Sequence, residues 1–357
     1  MRYYGIDMLR LWSFIPILAF HGQSFIWDAN NVPLSGAVPA LALFEYLCRL
    51  LSFSGFTIVG LTGFLMGLNV RRSVQRLKLF ALLLVAWIIF CLLSMAFRQQ
   101  FEVDWDVYPL VILGVLSAGL FTEKFSRLGS GIIACLGFCL LWIPFWKLAG
   151  HFDFGSNINN VLGIAVCSEE IAEWPVFPWI GLVWFGFGCG GLVRKGLVSG
   201  SDKFVFKRRE LLFWLCLLVV SFPHLGKMAA VPFGEEWGCA IYRFEPEVFW
   251  SHLVWPMFFV RLALCPRWNS IFKKSFFCRY VSDLAISRYF GLAYFIGFLE
   301  AYLVGIFCRH VAFGTDYYNM AVPICAYTML PLCELLTRLV INLIPRMGLL
   351  RRQSIEA

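Results

Sequence analysis

The first long apolar stretch of the chain reads Gly5-Ile6-Asp7-Met8-Leu9-Arg10-Leu11-Trp12-Ser13-Phe14-Ile15-Pro16-Ile17-Leu18-Ala19-Phe20-His21. Its hydrophobicity predicts a membrane-spanning helix, although it contains a carboxylate, a guanidinium and an imidazole, which are costly to place in lipid. On a helix, Arg10 and His21 share one face and lie about 16 Å apart along the axis. The stretch therefore predicts a functional helix with a cation near one end and a titratable nitrogen further along the same face.

The composition indicates that the rest of the chain is also built for a bilayer. Of its 357 residues, 60% are hydrophobic and 15% are charged, and the mean hydropathy is +0.75, which is far from the composition of a soluble domain. We predict an all-α protein, a polytopic bundle of about ten transmembrane helices. The predicted organisation is a single integral-membrane domain at 1–345 and a short basic cytoplasmic tail at 346–357. The candidate spans are 8–27, 52–70, 79–97, 107–121, 131–148, 177–193, 211–225, 247–265, 289–308 and 321–344.

The formal net charge of +8 follows a topological pattern. Basic residues cluster in alternate connections between the spans, and acidic residues cluster in the others. Because short loops rich in lysine and arginine stay in the cytoplasm, both termini are predicted to be cytoplasmic. The same rule accounts for the net charge without a nucleic-acid partner. We therefore predict a multi-pass protein of the inner (plasma) membrane, surrounded by the lipid bilayer.

The thirteen cysteines favour neither a metal site nor a dense disulfide framework. Most lie within apolar segments, and none has the spacing of a zinc site, so no metal is predicted. Cys167 and Cys239 fall in the two longest predicted outer loops, where a disulfide could form in an oxidising compartment.

Two motifs carry a family resemblance. The start Ile6-Asp7-Met8-Leu9-Arg10, with ten residues between Arg10 and His21, and the later Thr62-Gly63-Phe64-Leu65 resemble the first two helices of the acyltransferase 3 family of integral-membrane acyltransferases. Thr62 stands where that family usually has serine. The residues also have a structural interpretation, because Gly60, Gly63 and Gly67 predict a helix face that another helix can approach closely.

A third motif reads Trp174-Pro175-Val176-Phe177-Pro178-Trp179-Ile180-Gly181. It is similar to a segment of glycan-modifying membrane acyltransferases, including the related heparan N-acetyltransferase group. The two prolines disfavour an early helix start, and the tryptophans suit a membrane interface.

The resemblance implies an enzyme, an O-acyltransferase that moves an acyl group, by preference acetyl, from cytoplasmic acyl-CoA to a hydroxyl of a cell-envelope polysaccharide or glycolipid. It implies that His21 and Arg10 are catalytic and that Arg10, Arg72 and Arg76 bind the phosphates of the donor, acetyl-CoA, because guanidinium groups bind phosphate in a bidentate manner. His21 can act as a general base or as a transient acyl carrier, and the sequence is compatible with both. Arg10 can instead pair locally with Asp7, and the basic run at 71–78 can be a topology signal alone.

The competing function is a secondary transporter or flippase for a lipid-linked or anionic substrate, because buried charge and broken helices also suit alternating access. The absence of an internal repeat of hydropathy or motif favours the enzyme.

Two further polar features fall in the last predicted spans. Glu334 and Arg338 are four residues apart and predict an ion pair on one helix. Glu300 has no partner nearby in sequence, so a contact with an arginine such as Arg261 is expected.

Overall fold

A computed structural model of the protein describes residues 3–14, 53–68, parts of 81–92, 107–143, 176–198, 207–229, 246–289, parts of 292–303, and 315–343. Every element in this part of the chain is a helix, which confirms the all-α prediction. Four of the predicted features, namely His21, the donor-binding Arg72 and Arg76, the pair Cys167 and Cys239, and the tail at 346–357, lie outside the described residues.

We number the helices α1 to α10 along the chain. They are α1 (4–14), α2 (Phe53–Leu68), α3 (Val107–Leu141), α4 (Val176–Val198), α5 (Arg208–Ala229), α6 (Pro246–Leu264), α7 (Pro266–Lys274), α8 (Phe276–Asp283), α9 (Ala285–Arg288) and α10 (Thr315–Leu343). Shorter helical pieces lie within 81–92 and 292–300.

The chain divides into two compact units. The first contains α1, the part of α6 from Pro256 onward, and α7 to α10. The second contains α2 from Phe56, then α3 to α5, and α6 as far as Trp255. The predicted single domain at 1–345 stays a prediction.

The helix α4 has the length and composition of a membrane span. Its segment Val176–Arg194 has a mean hydropathy of 1.7, and within the described part of the chain it is the one helix that meets both criteria. Phe177 keeps an extended backbone, with φ −109° and ψ 131°, in agreement with the late helix start that the two prolines predict. Shorter apolar helices at Val59–Leu68, Pro109–Leu120, Leu128–Leu141 and Leu253–Leu264 overlap four other predicted spans. The total of ten spans stays a prediction.

The long helical segment α3 reverses its direction between its two ends. The position of a Cβ added at Gly114 lies 2.8 Å from the Val183 side chain, and one added at Gly137 would overlap the backbone of Phe185. On a straight helix these two glycines would be about 35 Å apart. Because both meet neighbouring residues of α4, the chain reverses between them, and the two arms correspond to the separate spans predicted at 107–121 and 131–148.

Glycines allow α2 to lie directly on the backbone of α4. A Cβ at Gly63 would overlap the carbonyl oxygen of Val183, and one at Gly186 would overlap that of Gly60. Gly67 and Gly190 are equally close to a backbone oxygen of the facing helix. The glycine face predicted for 52–70 is therefore confirmed as a packing surface, and its partner is α4.

The outer surface of α5 is apolar. Val219 is 72% exposed and Phe213 is 59% exposed. Such a surface is unfavourable in water but suits contact with lipid, since lipid-facing side chains need no polar partner. The neighbouring exposed apolar residues are Leu211, Leu212, Leu215, Val220 and Phe222.

Candidate functional site

The N-terminal helix is fixed at its start to α6 and α7 of the same unit. The backbone N–H of Tyr4 donates to Oδ1 of Asn269 at 3.1 Å. A Cβ at Gly5 would come within 2.6 Å of the Ala263 Cβ and 2.9 Å of the Phe272 ring. The position of α1 therefore depends on Gly5, because a side chain at this point of closest approach would collide with Ala263 and Phe272.

Tyr3 precedes this contact and behaves as a core residue. Tyr3 is 8% exposed, and its hydroxyl has no hydrogen-bond partner among the described residues. Burial raises the pKa of Tyr3 from its usual value near 10, so the phenol stays neutral at physiological pH.

Arg10 is the centre of a polar network that joins α1 to α8 and α9. Its Nη1 donates to Oδ1 of Asp7 at 3.2 Å and to the carbonyl oxygen of Ser287 at 3.0 Å. The other carboxylate oxygen of Asp7 accepts from the hydroxyl of Ser282 at 3.0 Å. Asp7 is 7% exposed, so its charge is compensated inside the protein by one cation and one hydroxyl. We call these four residues the Arg10 network, and the local pair with Asp7 is confirmed.

The same α9 helix is held from its other side by α10. The carboxylate of Glu334 accepts from the backbone N–H groups of Ala285 at 2.9 Å and Ile286 at 3.0 Å. The first of these residues begins α9, and the preceding Leu284 provides no side-chain cap. Glu334 thus supplies from another helix the acceptor that a capping residue normally provides.

Arg338 completes this arrangement. Its Nε donates to Oε1 of Glu334 at 2.6 Å, which confirms the ion pair predicted from the four-residue spacing. The Arg338 side chain is 55% exposed, so the pair contributes little stability compared with the backbone capping.

An apolar cluster covers the far end of the described part of α1. Phe14 is 1% exposed and lies in one cluster with Ile286 of α9, Ile296 and Cys333. The predicted functional helix is therefore bound to its unit by polar contacts near Arg10 and by apolar packing one turn later.

Glu300 is a buried acidic residue of the first unit. It is 4% exposed, and neither of its oxygens has a hydrogen-bond partner among the residues that the structure describes. The contact with Arg261 expected from the sequence is therefore absent, since the carboxylate accepts no hydrogen bond from that arginine.

The described residues of the second unit offer apolar surfaces. Phe138 lies 4.6 Å and Trp142 lies 5.7 Å from Trp250, measured between ring centroids. A groove of about 440 Å³ runs along the second arm of α3. Among the described residues that form these two features there is no cation of the kind that a phosphate would need. The groove is lined by Leu128, Gly131, Ile132, Cys135, Leu136 and Cys139.

Sequence reasoning found Arg10 and Asp7 but missed their partners. Ser282 and Ser287 are more than 270 positions away in the chain, and a lone serine has no sequence signal for such a contact. The capping role of Glu334 was missed for the same reason, because the sequence shows only its local partner Arg338.

The helical units, the apolar surface of α5 and the one helix of spanning length and composition among the described residues are typical of a helical membrane protein. Residues 2–220 match the model of the family described as heparan-alpha-glucosaminide N-acetyltransferase, catalytic. The match covers more than half of the chain, so the protein belongs to this family of acetyl-transferring enzymes. No curated protein and no solved structure matches the chain.

The resemblance to the acyltransferase 3 family is therefore wrong, because the matching family is a different one. Its two motifs serve purposes that are not specific to that family. Gly63 belongs to the face on which α2 meets α4, and Asp7 and Arg10 neutralise each other on α1. The motif that begins at Trp174 agrees with the family found, since its resemblance included the heparan N-acetyltransferases.

Proposed function

We propose that the protein transfers an acetyl group from acetyl-CoA, supplied on the cytoplasmic side of the membrane, to the amino group of a glucosamine-type sugar. The family match over residues 2–220 carries this proposal, because the family's description names an N-acetyltransferase and a glucosaminide. Membership of the family supports acyl transfer in general. The donor and the acceptor are inferences from that description.

In this reaction the amine nitrogen attacks the thioester carbonyl, a C–N bond forms, and the C–S bond breaks. The amine loses a proton, and the departing thiolate of CoA gains one. In the proposal, His21 either takes the proton from the amine as a general base or receives the acetyl group first and passes it to the amine. Both routes require the imidazole, so His21 is the catalytic residue proposed.

The donor carries several phosphate charges, and the proposal assigns their binding to Arg72, Arg76 and Arg10. Arg10 already donates to Asp7 and to the Ser287 carbonyl, while 19% of its side chain remains exposed. We therefore propose that Arg10 has two tasks, to hold α9 against α1 and to donate a hydrogen bond from its exposed part to a donor phosphate.

The sequence predicts transfer to a hydroxyl of an envelope polysaccharide in the inner membrane. The family's description names a nitrogen acceptor, so the amine is the first candidate, and an oxygen acceptor is the alternative outcome of the same experiment. The family also favours acyl transfer over the transporter function.

The test is incubation of the purified protein with acetyl-labelled acetyl-CoA and either of two acceptors. One is an oligosaccharide that ends in glucosamine, and the other is the same oligosaccharide with its amine already acetylated. We expect label only in the first acceptor, in an amide bond that survives mild alkali. Alkali-labile label in the second acceptor would identify hydroxyl transfer. Absence of label from both acceptors, together with movement of a lipid-linked sugar across proteoliposomes, would favour the transporter.

A further inference from the structure

Two consecutive short helices of the first unit, α7 and α8, expose large apolar side chains. We call residues 266–283 the α7–α8 segment. Phe276 is 78% exposed and Phe277 is 60% exposed. Apolar surface of this kind is unfavourable in water and indicates an interaction site. The other large apolar residues that the segment exposes are Trp268, Ile271 and Tyr280.

The inner face of the α7–α8 segment is held by α1. Asn269 of α7 accepts from the backbone N–H of Tyr4 at 3.1 Å. Ser282 of α8 donates to Oδ2 of Asp7 at 3.0 Å. Both Asn269 and Ser282 are buried. These contacts determine which face of each helix is turned away from α1.

The exposed apolar residues are neighbours on the surface of each helix. At about 100° per residue, Trp268 and Ile271 lie about 60° apart around the axis of α7. Phe276 and Tyr280 lie about 40° apart around the axis of α8. Ser275 has an extended backbone and separates the two helices. Each helix therefore has an exposed apolar sector of its own.

The polar surface of the same segment is basic. It contains four exposed cations and one acidic residue, Asp283. Around α7, Lys274 lies about 60° from Ile271, so a cation borders the exposed apolar sector. The segment is thus amphipathic, with positive charge beside its aromatic residues. The four cations are Arg267, Lys273, Lys274 and Arg279.

A membrane surface with anionic lipids fits this combination. Helices with one apolar face and lysine or arginine beside it lie in the plane of the membrane surface, where tryptophan and tyrosine rings are also favoured. The segment begins directly after the apolar helix Leu253–Leu264, which overlaps a predicted span and would end near that surface. A second copy of the chain fits less well, because two such surfaces would bring their cations together.

We propose that the α7–α8 segment lies on the surface of the bilayer and binds anionic phospholipids in preference to zwitterionic ones. Trp268, Phe276 and Phe277 enter the boundary between headgroups and acyl chains, while the cations bind the negative headgroups. Because the inner face of the segment holds the start of α1, the bound lipid also supports the helix that carries Arg10. This interaction is separate from the proposed acetyl transfer.

The test uses the full-length protein in phosphatidylcholine nanodiscs that contain a trace of a photoreactive lipid, either phosphatidylglycerol or phosphatidylcholine. Peptide mapping gives the ratio of crosslinking of residues 266–283 by the two probes. We expect the phosphatidylglycerol probe to be preferred in the wild type. The ratio should fall at least about tenfold in Lys273→Gln with Lys274→Gln, since each cation near the surface strengthens the binding of anionic lipid about fivefold. Lys273→Arg with Lys274→Arg is the matched control and should keep the ratio.

The wild-type protein supplies a measurement that does not depend on a variant. High salt should lower the preference for phosphatidylglycerol, because it screens exposed charges, and acetyl-CoA should leave the preference unchanged. Equal crosslinking by the two probes, or by neither, would overturn the inference. So would a ratio that survives the two glutamine substitutions, or displacement of the phosphatidylglycerol probe by acetyl-CoA, which would assign the cations to a nucleotide.

Discussion

At the scale of single residues, Arg10 shows how a charge is accommodated on an apolar helix. It donates to one carboxylate and one carbonyl, and the remaining oxygen of that carboxylate is bound by Ser282. The residues in these contacts belong to α1, α8 and α9, so the Arg10–Asp7 pair determines how α1 lies against the rest of its unit. Loss of Arg10 would leave Asp7 buried without its cation.

We therefore predict that Arg10→Ala lowers the free energy of unfolding by about 3 kcal/mol, the lower end for a broken buried pair. Thermal unfolding of detergent-purified protein measures the effect. The double variant Asp7→Asn with Arg10→Ala should be more stable than Arg10→Ala alone, because the buried charge is then removed as well. If the double variant is less stable than Arg10→Ala by the full cost of Asp7→Asn, the two residues are not coupled.

At the scale of elements, α9 is a single turn that depends on contacts from outside. Its N-terminal N–H groups bind Glu334, and its carbonyl at Ser287 binds Arg10. A helix this short has little stability of its own. Its position is therefore set by the two charged side chains that hold it.

Glu334→Ala should destabilise the protein by about 1–2 kcal/mol, the usual cost of losing a cap. Arg338→Ala is the control, because it removes only the exposed ion pair and should cost less than about 1 kcal/mol. Hydrogen exchange at the Ala285 and Ile286 amides should accelerate in the first variant and stay unchanged in the second. Equal effects of the two variants would show that the ion pair, and not the cap, is what matters.

The contact between α2 and α4 can be tested by comparing two glycines. Gly63 of α2 lies in this contact, and Gly131 of α3 is the control. At Gly63 an alanine methyl would overlap the Val183 carbonyl, whereas at Gly131 no atom lies within 4 Å. Gly63→Ala should therefore cost about 2 kcal/mol or more through overpacking, and Gly131→Ala should be neutral or slightly stabilising. The yield and melting temperature of the folded proteins distinguish them. A Gly63→Ala protein as stable as the wild type would contradict the close helix contact.

The parts of this fold that were predicted correctly from the sequence follow from local patterns of residues. The Asp7–Arg10 and Glu334–Arg338 pairs follow from helical spacing, and the Gly60 and Gly63 face follows from the same spacing of small residues. What each of these features touches elsewhere in the chain depends on tertiary packing. The α4 partner of the glycines, the Ser287 carbonyl and the amides capped by Glu334 could not be predicted, since they lie far away in sequence.

At the scale of the whole molecule, the apolar surface of α5 and the length and composition of α4 agree with a protein that lies in a lipid bilayer. The orientation in the membrane is predicted from the distribution of basic and acidic residues among the connections. We predict that the basic connection around Ser201 is cytoplasmic. A single cysteine placed there, in a background without native cysteines, should react with a membrane-impermeant reagent only after the cells are opened. Labelling in intact cells would reverse the predicted orientation.

Membership of the family indicates acyl transfer, and the reaction that we propose depends on the imidazole of His21. The most direct test of that claim is acetyl transfer to an amino-sugar acceptor by His21→Ala, with acetyl-CoA binding measured on the same preparation and His252→Ala as the control histidine variant. We predict that transfer falls by about 10²–10⁴ in rate, that acetyl-CoA still binds with wild-type affinity, and that His252→Ala transfers normally. Wild-type rates of transfer by His21→Ala would contradict the account.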